Sequence, residues 1–472
     1  MSAPTKSKRA SEKVRAPREG AMPKGLTVVY PNCAGIDIGS RSHYVSVPEK
    51  RDERPIREFG CYTPDLEAMA EWLKECKIDT VVMESTGVYW KPVFSILVKH
   101  GFDVKLVDVR NMRRVPGRKS DVSDCQWLQN LGTHGLLRPC FIPEEMTQTV
   151  QAYWRHRDNL VEMRAHQIHL MQKSLEQMNV QLHKAVTDIT GETGMSIIRA
   201  ILAGERDPVT LAKLRRPNVK SSEEELAKAL TGNYAKEHLF VLGQVVTCYD
   251  FHLRQIEQCD RETEAYLVEM ERKIHPDRKA RRSPGTGTTK SRKPRKNQPR
   301  FNLAKRLENV LGVDLTSIDG ICGLTAMKFF TEVGCTVDAF PNEKAFSSWL
   351  RLCPNNRKTG GKVKSTRTLP SQNRLSTALR VAAQALHHSK SALGAYSRQM
   401  RSHLGAPKAI TATAHRLAIL IYRMVRYGKE YVDEGEAAYQ ERQEKLRLAR
   451  LKRSARAQGY LVMDPATGQV LR

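Results

Sequence analysis

Two stretches in the middle of the chain carry apolar side chains at helical spacing, and they constrain everything around them. Trp154, Val161, Ile168, Leu175 and Leu182 fall seven residues apart, and Leu239, Leu242, Val246, Tyr249, Leu253 and Ile256 alternate steps of three and four. Apolar residues repeating in this way call for long helices that bury one stripe against another helix. The piece between them, 186-VTDITGETGMSIIRAILAGERDPVTLAKL-214, is broken by glycine and proline, so the two helices are expected to return on each other as a hairpin. The stripe reads as a coiled-coil seam, with a plain helical-bundle core as the other reading. Either way, an arm of this length suggests self-association.

On either side of this arm (143–276) the pattern is different. From 30 to 142 apolar or alternating runs at 34-AGIDIG-39, 43-HYVSV-47, 57-REFGCYT-63, 79-DTVVMES-85 and 103-DVKLVDV-109 read as strands. Between them, 64-PDLEAMAEWLKEC-76 and 88-VYWKPVFSILVKHG-101 have helical spacing, so the expectation is a mixed sheet with helices packed on it. Residues 277–300 form a linker rich in Lys, Arg, Pro, Gly and Ser that cannot build a core; it is a solvated linker or a basic strap along phosphates. The region 301–440 is mainly helical and includes 318-IDGICGLTAMKFFTEVG-334, where glycines flank an apolar turn before a helix, as in a helix-hairpin-helix element. Residues 441–472 are a basic tail continuing a surface helix into disorder, and 1–29 are a basic, disordered start.

One acid interrupts an otherwise apolar strand: Asp37 in 35-GIDIGSRSHYVSV-47. A buried carboxylate is costly unless it is paired, protonated or bound to a metal. Other acids can converge on it. Glu84 ends the apolar strand 79-DTVVMES-85, and Asp121 and Asp124 lie three apart in 119-KSDVSDCQWL-128, on one face of the first turn of a helix for which Ser120 is the natural N-cap. Each acid alone has an ordinary structural role open to it. Together, four carboxylates repel one another unless divalent cations hold them, and oxygen ligands without Cys or His point to Mg²⁺ or Mn²⁺. Two such ions stabilise both the attacking and the leaving oxygen of a phosphodiester displacement.

Charge points the same way. Lysine plus arginine number 78 against 51 acids, a formal net charge of +27 and a pI near 9.8, which favours a polyanionic partner. Arg110, Arg113, Arg114, Arg118 and Lys119 lead directly into the acidic turn. The start of the chain lacks the apolar core of a secretory signal and no apolar run is long enough for a bilayer, so a cytoplasmic, bacterial protein is expected. The ten cysteines form no CxxC pair or zinc spacing and read as reduced thiols.

In 35-GIDIGSRSHYVSV-47, 83-MESTGVYWKPVFSIL-97 and 118-RKSDVSDCQWL-128, and again in 318–334 and 388-HSKSALGAYSRQMRSHLGAPKAITATAHRLAILIYRM-424, the chain resembles the DEDD transposases of insertion sequences, relatives of the Piv-type DNA invertases. The resemblance implies an RNase H-like (RuvC-type) N-terminal domain and a metal-binding tetrad of Asp37, Glu84, Asp121 and Asp124. It further implies a helical arm for oligomerisation and a C-terminal transposase domain. It also implies recombination of donor and target DNA, guided by a structured RNA and carried out by a homo-oligomer, a dimer or tetramer. In that family a serine just before a glycine, after a Leu-x-Pro stretch, is the second catalytic part and forms a phosphoserine with DNA. Here the stretch is 352-LCPNNRKTGGKVKS-365 and the matching position is Thr359. Its extra methyl crowds the approach to phosphorus. Three readings stand: Thr359 is the nucleophile, Ser365 replaces it, or this copy is impaired. Lys358, Lys362 and Lys364 favour a phosphate in each. The rival functions are a RuvC-like hydrolytic nuclease or junction resolvase, a non-catalytic nucleic-acid-binding relative, and an actin-like ATPase suggested by GIDIGS alone.

Overall fold

The computed structural model describes residues 26–108, 121–276, 297–371, 373–428 and 431–463, with Gly468 and Val470; the side chains of residues 121–123 are not among those described. The chain divides into two compact units, Met1–Ile142 and Pro143–Arg472.

The first unit is a five-stranded sheet with helices on both faces. Its elements run β1 (Cys33–Ile38), β2 (Ser42–Ser46), β3 (Ile56–Gly60), α1 (Thr63–Glu75), β4 (Thr80–Glu84), α2 (Trp90–Lys99), β5 (Asp103–Val107) and α3 (Asp121–Thr133). The strand order is β3-β2-β1-β4-β5, with β2 and β3 antiparallel and β1, β4 and β5 parallel. A tight turn, in which the Gly39 amide donates to the Ser42 carbonyl at 3.1 Å, makes β1 and β2 a hairpin. Each parallel step, by contrast, needs a crossover helix. Ile36, Ile38, Val45, Val81, Met83 and Leu106 face α1 and α2 and form the larger core with Leu66, Met69, Leu73 and Leu97. Cys33, Val82 and Val107 face the other way and meet Leu128 of α3. Residues Thr27–Val29, assigned to the disordered start on sequence grounds, are tied to α3. The Val29 amide donates to the Thr133 carbonyl at 2.9 Å, and His134 bonds the Thr27 carbonyl at 3.1 Å.

In the second unit, α4 (Glu145–Gln177) and α9 (Lys236–Ile274) pack along each other, 33 and 39 residues long. They run antiparallel: Tyr153 meets Tyr266, and Arg157 pairs with Asp260. Trp154, Leu175, Leu242, Val246, Tyr249 and Ile256 are buried, while Val161, Ile168, Leu239 and Leu253 are half-buried. One member of the expected stripe is misplaced. Leu182 lies beyond the end of α4, in α5 (Leu182–Ala185), because Asn179 with φ +56° turns the chain out of the helix. Three further short helices, α6 (Glu192–Leu202), α7 (Pro208–Ala212) and α8 (Glu223–Leu230), close the apolar tip with Leu182, Ile197, Ile198, Ile201, Leu226 and Leu230.

The rest of this unit is α10 (Leu303–Leu311), α11 (Gly323–Val333), α12 (Glu343–Trp349), a hairpin of β6 (Arg357–Thr359) and β7 (Lys362–Ser365), then α13 (Arg374–Ala385), α14 (Ala392–Leu404), α15 (Ala406–Tyr427) and α16 (Gly435–Ala457). Its core is an aromatic cluster of Phe329, Phe340, Phe346, Trp349 and Tyr422, with the Tyr422 hydroxyl donating to the Phe340 carbonyl at 2.9 Å. α11 is anchored to α4, since Arg155 pairs with Glu332 at 3.0 Å and Lys328 pairs with Asp158. The hairpin is a strand element within 301–440, the region expected to be mainly helical, and residues 441–457 of the basic tail are helix. The linker residues 277–296 lie outside the described residues. Among the described residues no helix is long and apolar enough to cross a membrane.

Candidate carboxylate site and basic hairpin

β1 is the central strand, so a residue on it is flanked on both sides. Asp37 lies opposite Tyr44 of β2. The parallel register that sets Ile36 beside Met83 carries Asp37 next to Glu84 one step on, with strands about 4.8 Å apart. Alternation along the strands puts Asp37 on the side of Cys33 and Glu84 on the side of Val82, which is the face that α3 covers. Both acids are half-buried. The Thr86 hydroxyl donates to Glu84 Oε1 at 2.9 Å and so orients that carboxylate.

Glycine decides how close α3 comes. A Cβ on Gly35 would lie 2.3 Å from the Cys125 carbonyl oxygen and from the Gln129 amide nitrogen. On the helix side, a Cβ on Gly132 would lie 2.7 Å from Cys33 Sγ. The backbones of α3 and β1 are therefore nearly in contact, two residues from Asp37. This brings Asp124, in the first turn of α3, onto the face that carries Asp37 and Glu84. The Cys125 thiol registers the gathering of charge: burial pushes its pKa up to about 12, and the nearby Asp37 and Asp124 carboxylates push in the same direction.

Asp121 opens α3, one helical turn before Asp124; its side chain is outside the described set, as are Arg110, Arg113, Arg114, Arg118, Lys119 and the proposed cap Ser120. Among the described residues no three His, Cys, Asp or Glu side chains stand close enough to hold a metal ion by themselves. The donor chemistry of Asp37, Glu84 and Asp124 is nevertheless oxygen only, which suits a hard divalent cation.

Three residues at this edge escape a reading of the sequence alone. Tyr44 is found only by counting across the Gly39–Ser42 turn. Thr86 is two residues beyond Glu84, and half-buried Asp108 is one residue beyond β5, the neighbour of β4.

Thr359 lies in the second unit, at the end of β6, directly opposite Lys362. The turn between them is Gly360 and Gly361, with φ +56° and +74°, a left-handed pair that only glycine adopts cheaply. Opposed residues of an antiparallel pair share a face, so Thr359 and Lys362 lie on one face of the hairpin; Lys358 and Val363 take the other. Thr359, Lys358, Lys362 and Lys364 are all exposed. Among the described residues no hydrogen bond engages the Thr359 hydroxyl, whereas Ser365 Oγ accepts from the Arg367 amide at 3.2 Å. The segment 357–367 contains no acid to serve as a base.

Comparison with known families finds two matches. Residues 34–180 fit the sequence model of a DEDD transposase of IS110 type, and residues 300–398 fit that of the transposase IS116/IS110/IS902 family. The first span includes Asp37, Glu84, Asp121 and Asp124; the second includes Thr359. No curated protein matches the chain.

Proposed function

Because the chain belongs to the IS110 family of DEDD transposases and so acts on DNA, we propose that it mobilises an insertion sequence by divalent-metal-dependent cleavage and exchange of DNA strands. One observation carries this reading: Asp37 and Glu84 lie side by side on neighbouring parallel strands, with Asp124 packed over the same face. The strand order and directions fit the RNase H-like (RuvC-type) fold that the sequence resemblance implies.

Asp37, Glu84, Asp121 and Asp124 would hold Mg²⁺ or Mn²⁺ between them. The ion, when bound, supplies charge stabilisation to the phosphate oxygens. The chain's own part is preorganisation. The central strand holds Asp37, Thr86 steers Glu84, and α3 delivers Asp121 and Asp124 together from one turn.

Thr359 is the proposed nucleophile. Its Oγ1–P bond forms as the bond from phosphorus to the leaving deoxyribose oxygen breaks; the hydroxyl proton passes to water, and the leaving oxygen takes one up. The phosphodiester energy is kept in the new ester, so the strand can be passed on. Lys362, opposite Thr359, and Lys364 would hold the phosphate against the hairpin, and Lys358 on the other face would add to its positive field. A structured guide RNA and a homo-oligomer assembled on donor and target DNA complete the proposal, supported by a net charge of +27.

The test is strand transfer by purified protein with Mg²⁺ on element-end DNA. Asp37→Asn and Glu84→Gln should each lower the rate at least about a thousandfold, with DNA affinity within about threefold of wild type. Transfer at the wild-type rate in either variant removes the carboxylates from the mechanism.

A further inference from the structure

We propose that the C-terminal half of α16 is a DNA-reading helix that enters the major groove of duplex DNA, a contact separate from both the carboxylate site and the hairpin. The proposal rests on the reading of the chain as acting on DNA.

The first half of α16 is anchored. Tyr439 is the helix's one buried residue among those described, its hydroxyl donates to Gln399 at 2.6 Å, and Glu436 pairs with Arg398 of α14 at 2.7 Å. Beyond that anchor the helix changes character. Residues 445–457 hold Lys445, Arg447, Arg450, Lys452, Arg453 and Arg456, six cations and no acid. Lys445 pairs with Glu441, but among the described residues no ion pair engages Arg447, Arg450, Arg453 or Arg456. Arg447 and Arg450, Arg450 and Arg453, Arg453 and Arg456, and Lys452 and Arg456 are like-charge neighbours three or four apart, and each such pair weakens a helix. A bound polyanion removes that penalty.

The apolar residues narrow the choice of polyanion. Leu446, Leu448 and Leu451 are 45 %, 37 % and 55 % exposed. At about 100° per residue, Leu446 and Leu448 point roughly 160° apart, so the leucines do not gather on the single face that a membrane surface demands. The cations are spread just as widely. A helix with positive charge on both flanks and exposed apolar tips matches a groove that has phosphates on both walls and methyl groups on its floor. The B-DNA major groove, about 12 Å wide, admits an α-helix and displays thymine methyls, whereas the major groove of A-form RNA is too narrow.

The test uses the full chain and fluorescein-labelled 24-base-pair duplexes, one A·T-rich and one G·C-rich, read by anisotropy across a salt series. An RNA hairpin of equal charge is the third probe. Replacing Arg450, Arg453 and Arg456 together by Gln should weaken duplex binding at least tenfold. It should also flatten the slope of log K against log salt by about 2.7, from about 0.9 per phosphate contact. The triple Lys variant should keep the slope. Leu448→Ala with Leu451→Ala should reduce the preference for the A·T-rich duplex and leave the slope unchanged. Gln, Lys and Ala all favour helix, and far-UV circular dichroism confirms that α16 persists. Unchanged duplex affinity in the Gln variant overturns the proposal, as does a larger loss on the RNA hairpin, or a smaller assembly than wild type in sedimentation. Asp37→Asn separates the two readings. If it binds duplex normally but still transfers strands, the carboxylate mechanism falls and the groove helix stands; if wild type transfers strands while the Gln variant binds as tightly as wild type, only the groove helix falls.

Discussion

At Thr359 a single methyl group separates this chain from the serine that its resemblance to the DEDD transposases implies. The hairpin around it is cationic, with Lys362 directly opposite and no acid between Arg357 and Arg367. Restricted rotation about χ1 slows attack by a threonine hydroxyl without removing it. Thr359→Ser should therefore raise strand transfer by about threefold to thirtyfold, and Thr359→Val should abolish the covalent protein–DNA adduct trapped by denaturing gel. Cleavage by Thr359→Val at the wild-type rate would mean that water is the nucleophile, as in a hydrolytic nuclease. Ser365, whose oxygen accepts the Arg367 amide at 3.2 Å, is the alternative nucleophile, and an adduct that survives Thr359→Val points to it.

Helix α3 and strand β1 form the element pair on which the carboxylate site depends. Their near contact at Gly35 leaves no room for a methyl group, because the nearest atoms are backbone and cannot rotate away. Gly35→Ala should cost about 1–3 kcal/mol by overpacking and lower the melting transition of the first unit by about 3–10 °C. Strand transfer should fall further than stability does, since pushing α3 outward moves Asp121 and Asp124 away from Asp37 and Glu84. Calorimetry together with a transfer assay checks both; an unchanged melting temperature would mean that the helix does not rest on that glycine. Gly35 stands out in 35-GIDIG-39 only as a small residue in a strand, and nothing local shows which backbone presses on it. The β6–β7 hairpin was hidden for another reason. Both its faces are exposed, so no apolar alternation marks it, and its one local sign is the Thr-Gly-Gly-Lys turn.

Over the whole molecule, the two long helices bury their apolar stripes against each other within one chain. The stripe of α4 closes on that of α9, so the seam does not by itself require a second copy. Midway along this hairpin sits a buried charge pair. Arg157 is 2 % exposed and bonds both Asp260 and, at 3.0 Å, the Asn297 carbonyl, and its guanidinium lies 4.7 Å over the Trp154 ring. Asp260→Ala strands that charge among apolar side chains and should destabilise the second unit by about 3–5 kcal/mol. Replacing both partners with Met and Leu should restore most of the loss. Urea unfolding followed by helical circular dichroism measures both, and an Asp260→Ala loss under about 1 kcal/mol would show that solvent reaches Arg157.

The order of the strands and helices of the first unit and the two long helices were legible in the sequence, as was Asp37, an acid inside an apolar strand. Each rests on local chemistry: periods of two or 3.6 residues, and a carboxylate that interrupts an apolar run. Only the tertiary structure decided that Asp37, Glu84 and Asp124 occupy one face, that Tyr44 flanks Asp37, and that α4 leaves its stripe before Leu182. Those facts depend on strand register and on backbone-to-backbone approach, which join residues dozens of positions apart and leave no periodic trace along the chain.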